Sequence, residues 1–232
     1  MKSSKLLFDA DGTLWDFDAS AILSMQIIFA RRGYEFSDEV FQRYNRINSS
    51  LWERYEKGLM SRDRVLVERF DLLFAELGIN ADGAGFEDEF RVELEKNPIW
   101  MDGAVDLLER LKPDYEIYIV SNGVSSTQRK RIALTGLDRY VDAFFISDEI
   151  GAQKPQREFF DYVLSHIGDW SADKLLLIGD SLSADILGAN RFGIPSCWFN
   201  PAHLPLRGDA RPDHEIQSLS ELPALLKNVI KI

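Results

Sequence analysis

From residue 98 onward, short apolar runs alternate with stretches whose apolar residues recur every three or four positions. The first pattern suits strands and the second suits helices packed by one face. The strands expected are Lys5–Asp9, Glu116–Val120, Ala143–Ile146, Lys174–Ile178 and Ser196–Phe199. Leu175-Leu176-Leu177-Ile178 is apolar at every position, as in a parallel strand covered on both faces. Helices are expected over Gly103–Leu111, Ser125–Leu134, Pro155–Ile167, Ser183–Arg191 and Leu219–Val229. In the third, Phe159, Phe160, Val163, Leu164 and Ile167 form one stripe, with Pro155 placed in the first turn.

Residues 15–98 break the alternation and read as helix throughout, over Ala21–Arg31, Asp38–Lys57, Arg62–Leu77 and Phe86–Lys96, with Gly33, Gly58 and Gly78 between them. The fold expected is therefore α/β: a Rossmann-like, doubly wound parallel sheet core of residues 1–14 and 99–232, with an all-helical cap of residues 15–98 inserted after the first strand. Asn97-Pro98 marks the return, because the residue before proline resists helix. Asp16 and Asp18 are expected to start or cap the first inserted helix.

Composition narrows the function classes. A chain of 232 residues with 45% hydrophobic and 28% charged residues can bury a substantial core. A net charge of −11 offers no basic stripe for a nucleic-acid polymer. It leaves small phosphate substrates open, because a bound cation and one or two lysines set the local field. The single cysteine, Cys197, excludes a disulfide framework and reads as a small buried hydrophobe. The start of the chain is too poor in apolar residues for a signal peptide, and no run approaches a membrane span. A cytoplasmic protein without a membrane partner is expected. The three histidines, His166, His203 and His214, lack the spacing of a metal site.

The chemistry lies where the expected strands end. Leu6-Leu7-Phe8-Asp9-Ala10-Asp11-Gly12-Thr13-Leu14 closes an apolar run with two nearby carboxylates, which repel unless a cation or proton is shared between them. Mg²⁺ held by carboxylates, one of which attacks an electrophile, accounts for this economically. Further polar points follow at Ser121-Asn122-Gly123, Lys154-Pro155 and Gly179-Asp180-Ser181…Asp185. Ligands of open α/β sheets bind beyond the carboxyl ends of the strands, so these distant residues are expected to converge.

The ordered set D-A-D-G-T-L, S-N-G, K-P and G-D-S-x-x-x-D resembles the haloacid-dehalogenase superfamily of hydrolases over essentially the whole chain. The resemblance implies that Asp9 is a nucleophile forming an aspartyl-phosphate and that Asp11 is the general acid and then base. It also implies Mg²⁺ as cofactor, held by Asp9, the Asp11 carbonyl and Asp180, with Asp185 orienting the outer shell or pairing with Lys154. Ser121 and the Asn122 N–H would hold the phosphoryl oxygens, and Lys154 would neutralise charge on both nucleophile and phosphate. An aspartate at position 11 points to phosphate-ester hydrolysis, since dehalogenases lack it and phosphonatases carry a small residue there.

Within the insert, the pattern Y-N-x-I-N-x-x-L-W-x-x-Y-x-x-G-x-x-S-R from Tyr44 to Arg62 resembles the pyrimidine 5′-nucleotidase subgroup. Asn48 and Trp52 are one helical turn apart and could offer a nucleobase an amide and a stacking ring, with Arg62 as a further contact. Core packing of Trp52 and a surface ion pair for Arg62 are the plainer alternatives. The leading expectation is a Mg²⁺-dependent pyrimidine nucleoside 5′-monophosphatase acting on a small phosphomonoester. A sugar-phosphate or phosphoglycolate phosphatase, a phosphomutase and a catalytically silent binding protein are the alternatives. The sequence leaves the oligomeric state open.

Overall fold

The computed structural model describes residues 4–230. The described residues form two compact units, one comprising those up to Asp16 together with those from Trp100, the other Phe17–Ile99. The crossing falls one or two residues later than the expected one because Trp15 belongs to the first unit. There it is fully buried, bridges Trp100 and packs among the sheet's apolar residues.

The sheet unit holds six parallel strands in the order β3-β2-β1-β4-β5-β6. They are β1 (Ser4–Phe8), β2 (Tyr115–Ser121), β3 (Ala143–Ile146), β4 (Leu175–Gly179), β5 (Ser196–Phe199) and β6 (His214–Ile216). Side chains alternate between its faces as the pleat requires. Leu6, Phe8, Ile117, Ile119, Leu176 and Ile178 share one apolar cluster with Leu107, Leu108 and Leu111 of α5 (Ala104–Leu111) and Leu222 and Leu226 of α10 (Leu222–Val229). Leu7, Tyr118, Val120, Leu175 and Leu177 share another with Phe159, Phe160 and Val163 of α8 (Arg157–His166). A parallel sheet buried on both faces by crossover helices is the doubly wound α/β fold. Cys197 is buried in β5, and burial pushes its thiol up to about 12, which keeps it un-ionised.

Several boundaries differ from expectation, each for a local reason. The third core helix begins at Arg157 rather than Pro155, because the chain first makes a turn in which the Gln156 N–H donates to the Gln153 carbonyl at 2.7 Å. The expected helix over Ser183–Arg191 is a π-helical turn, Leu182–Ile186, followed by α9 (Leu187–Phe192). Residues Leu219–Glu221 form a 3₁₀ turn before α10, with Ser218 and Glu221 making a capping box. Strand β6 and the single-turn helix α7 (Ser147–Ile150) are additional elements, too short to leave a periodic signal. Between β2 and β3 lies α6 (Ser125–Thr135).

The helical unit comprises α1 (Phe17–Arg32), α2 (Asp38–Glu56), α3 (Arg62–Leu77) and α4 (Gly83–Lys96). Asp18 falls in the first turn of α1, where a carboxylate suits the helix dipole. Helix α4 starts three residues before its expected position because Asp82 caps the Ala84 and Gly85 N–H groups and Asp71 accepts from Gly83. The unit's core is aromatic, with Phe29, Tyr44, Phe70, Phe74, Phe86 and Phe90 in mutual ring contact. Within it lies a buried ion pair. Arg69 donates to Glu87 Oε2 at 2.6 Å and 3.1 Å, to the Tyr44 hydroxyl at 3.2 Å and to Asn48 Oδ1 at 3.1 Å. Removing one partner of such a pair strands a buried charge. Glu87→Leu is therefore expected to destabilise the chain by about 3–5 kcal/mol in urea denaturation, and the double variant Arg69→Met/Glu87→Leu should recover most of that loss.

Candidate active site

Backbone geometry brings the acidic residues together. Asp9 follows β1 directly and Asp180 follows β4, and these strands are neighbours in register, Phe8 opposite Ile178. The Asp9 N–H donates to the Ile178 carbonyl at 2.9 Å, which extends the ladder to the start of the site. Beyond it the chain turns on Gly12, at φ +84°, a conformation that an L side chain resists. A Cβ at position 12 would lie 2.6 Å from Asp180 Oδ2, so the missing side chain leaves room for this carboxylate. Gly179 does the same for Asp185, whose carboxylate occupies the space a Cβ would fill. One carboxylate oxygen from each of Asp9, Asp180 and Asp185 lies within 4.8 Å of the others.

Lys154 sits against this cluster and is 1% exposed. Its ammonium donates to Asp9 Oδ1 at 2.5 Å, to Asp185 Oδ1 at 2.6 Å and to the Val120 carbonyl at 2.7 Å. Three acceptors match its three N–H groups. The lysine backbone is fixed as well, since Asn122 Oδ1 accepts from the Lys154 N–H and Asn122 Nδ2 donates to the Lys154 carbonyl, both at 2.9 Å. Of the two roles expected for Asp185, the structure has the pairing with Lys154. Its second oxygen accepts the Ser181 N–H at 3.1 Å.

These contacts leave the site electrostatically unbalanced. Burial raises the Asp9 carboxyl well above its usual range, and Lys154 opposes this less than burial and the neighbouring Asp185 and Asp180 promote it. Enclosure by the surrounding chain and the nearby Asp185 push Asp180 up to about 7, although part of its surface stays open. Burial works against the Lys154 charge, yet Asp185 and Asp9 outweigh it and hold the ammonium protonated. A hard divalent cation takes oxygen donors and favours their ionised form, so the donor set fits Mg²⁺. Asp180 is oriented by Thr13 Oγ1, which donates to its Oδ1 at 3.2 Å, while Trp198 Nε1 donates to its carbonyl at 2.9 Å.

Ser121, at the end of β2, is 2% exposed, and its Oγ accepts from the Gly123 N–H at 3.1 Å and from Gln128 Nε2 at 2.7 Å. The same Gln128 nitrogen donates to Asp11 Oδ2 at 2.7 Å. Arg131 Nη1 donates to Asp11 Oδ1 at 2.5 Å, and its guanidinium lies 4.3 Å from the centroid of the Trp15 ring. Sequence reasoning missed both Gln128 and Arg131. Their signal is a Q-x-x-R spacing shortly after S-N-G, which places both on one face of α6.

The expected substrate residues of the insert lie in the helical unit. Asn48 is buried, and its Oδ1 accepts from Trp52 Nε1 at 3.1 Å as well as from Arg69. Trp52 is half-buried with its ring edge-on to Tyr55, and Arg62 is half-buried at the start of α3. Asn48 and Trp52 do share a helix face, but the Asn48 carbonyl is engaged inside the unit.

A parallel α/β sheet with these four motifs at its carboxyl edge defines a class of hydrolase, and the comparisons agree. Residues 6–193 match the haloacid dehalogenase-like hydrolase family, and the chain belongs to it. It is a phosphoric monoester hydrolase of that family. It is 35% identical to the pyrimidine 5′-nucleotidase PynA of Streptococcus pneumoniae, over 97% of this chain and 96% of that protein. It is 33% identical to the pyrimidine 5′-nucleotidase YjjG of Escherichia coli, over 97% and 99% respectively. A crystal structure of the HAD-hydrolase YfnB of Bacillus subtilis bound to magnesium superposes with a TM-score of 0.90 at 40% identity, covering 97% of this chain and 99% of that one. Among the described residues, no helix is long and apolar enough to cross a membrane.

Two outcomes are expected. Gly12→Ala forces a Cβ into the Asp180 carboxylate and should lower turnover roughly a hundredfold, as displaced catalytic groups do, measured with p-nitrophenyl phosphate. The second concerns pH. An unfolded aspartate ionises near about 3.9, whereas Asp180 in the metal-free fold does so at about 7. The metal-free fold therefore favours the protonated form and loses this contribution as pH rises through 7. A cation needs the ionised form, so the rise in Tm on adding Mg²⁺, relative to EDTA, should be larger at pH 8 than at pH 6.

Proposed function

We propose that the protein is a Mg²⁺-dependent pyrimidine nucleoside 5′-monophosphatase that works through an aspartyl-phosphate on Asp9. The substrate class rests on the end-to-end similarity to two pyrimidine 5′-nucleotidases. In this reading Asp9, Asp180 and the backbone carbonyl of Asp11 would hold the cation, which would supply positive charge to offset that of the phosphoryl group.

Asp9 attacks phosphorus through a carboxylate oxygen while the bond to the nucleoside 5′-oxygen breaks. Protonated Asp11 gives its proton to that leaving oxygen. Asp11, now a carboxylate, takes a proton from water as the water oxygen attacks phosphorus. The bond from phosphorus to Asp9 then breaks, which releases phosphate and restores both side chains. Lys154 steadies the Asp9 carboxylate before attack and neutralises phosphoryl charge afterwards, while Ser121 and the Asn122 N–H hold the phosphoryl oxygens. Trp52 and Arg62 are the side chains we assign to base recognition, with Asn48 orienting Trp52 through its hydrogen bond.

The test is a panel of nucleoside monophosphates and sugar phosphates assayed for released phosphate with Mg²⁺. The reading expects kcat/KM for dUMP and dTMP to exceed that for sugar phosphates by about tenfold or more, a margin that one well-placed set of contacts supplies. A preference of that size for sugar phosphates would overturn it. Asp9→Asn should abolish turnover of every substrate while leaving the circular dichroism spectrum unchanged.

A further inference from the structure

Asp11 has the most demanding task in the proposed cycle, since one carboxyl must donate a proton and then take one back. Its side chain does not stand alone in the turn. Gln128 and Arg131 project from one face of α6 and grip both of its oxygens, at 2.7 Å and 2.5 Å. Both gripping residues are buried, at 2% and 1% exposure. Arg131 also donates to Gln128 Oε1 at 3.3 Å, which ties the two together.

Packing alone does not account for this arrangement. Nε and Nη2 of Arg131 are buried and meet no acceptor among the described residues, and the same holds for Nε1 of the Trp15 ring beneath it. Buried donors without partners are costly, and where they persist they mark a position held for another purpose. Arg131 forms an ion pair with Asp11, and its stacking on Trp15 pins the other end of the same turn. Gln128 adds a second link, because its Nε2 bridges Asp11 Oδ2 and Ser121 Oγ.

We propose that Gln128 and Arg131 are positioning residues that fix the Asp11 carboxyl for proton transfer to the leaving oxygen, with Gln128 setting its place relative to Ser121. The inference rests on the acid–base role of Asp11 in the reading above. In that reading both residues act through the Asp11 carboxyl and not on the substrate directly.

The leaving group provides the test. A nucleoside 5′-oxygen leaves poorly without a proton, whereas p-nitrophenolate leaves readily without one. Both substrates carry the same phosphoryl group, so a general disturbance of the fold, of Ser121 or of the cation site affects both alike. The ratio of kcat/KM for dUMP to that for p-nitrophenyl phosphate therefore isolates leaving-group protonation. General acid–base catalysis contributes about 10²–10⁴-fold, so imperfect positioning should lower this ratio by about tenfold or more.

That drop is expected in Arg131→Met and in Gln128→Met, with Arg131→Lys intermediate. Gln128→Met leaves the guanidinium in place, so it decides the matter if Arg131→Met fails to fold. A ratio unchanged from the parent in Gln128→Met, while Asp11→Asn lowers it, would overturn the positioning role and leave the acid–base role standing. A ratio unchanged in Asp11→Asn would overturn the acid–base role itself, and the inference with it.

Discussion

The ammonium of Lys154 allows three carboxylates to gather where β1 and β4 end. Burial and mutual repulsion each favour protonated acids there, and a buried charge survives only when paired and hydrogen-bonded. Lys154 meets that condition with Asp9, Asp185 and the Val120 carbonyl, one acceptor for each of its N–H groups. The rest of the sheet unit is arranged to keep it there. Asn122 holds the lysine's backbone from the end of β2, the π-helical turn presents Asp185, and two glycines leave room for the acids. One positive charge among three acids leaves a deficit, and a divalent cation is the physical complement of that deficit.

Much of this was legible in the sequence because it depends on strand ends. Asp9, Ser121 and Asp180 each close or follow an apolar run, and in a parallel sheet such ends lie side by side. Lys154 was harder to place by periodicity because it sits in a loop after a single-turn helix, and its dipeptide carried the signal instead. Gln128 and Arg131 escaped notice because α6 buries polar side chains. Thr127, Gln128 and Arg131 are all enclosed, yet in sequence they resemble a solvated helix face. Polar residues buried for a functional reason defeat a reading that equates polarity with exposure. Strand β6 was missed for a different reason, since three residues with one fully buried side chain, Ile216, carry no period.

The helical unit shows the same limit. Its helices follow plainly from their apolar stripes and from the caps at Ser37 and Asp82. The shared face of Asn48 and Trp52 follows from i, i+4 spacing. The third member of that network, Arg69 from α3, does not, because only the packed helices bring it to Asn48. A polar residue expected to face a ligand is held partly by a buried guanidinium, which leaves Trp52 and Arg62 to carry the assignment of base recognition.

The proposed chemistry turns on Asp9, held by Lys154, becoming the phosphorylated group. Acid quenching of the enzyme during turnover, followed by borohydride reduction, converts an acyl phosphate to the corresponding alcohol, and peptide mass spectrometry locates it. Homoserine is expected in place of aspartate at position 9, dependent on substrate. Reduction at another carboxylate, or phosphate release with no reducible acyl phosphate on the chain, would contradict it.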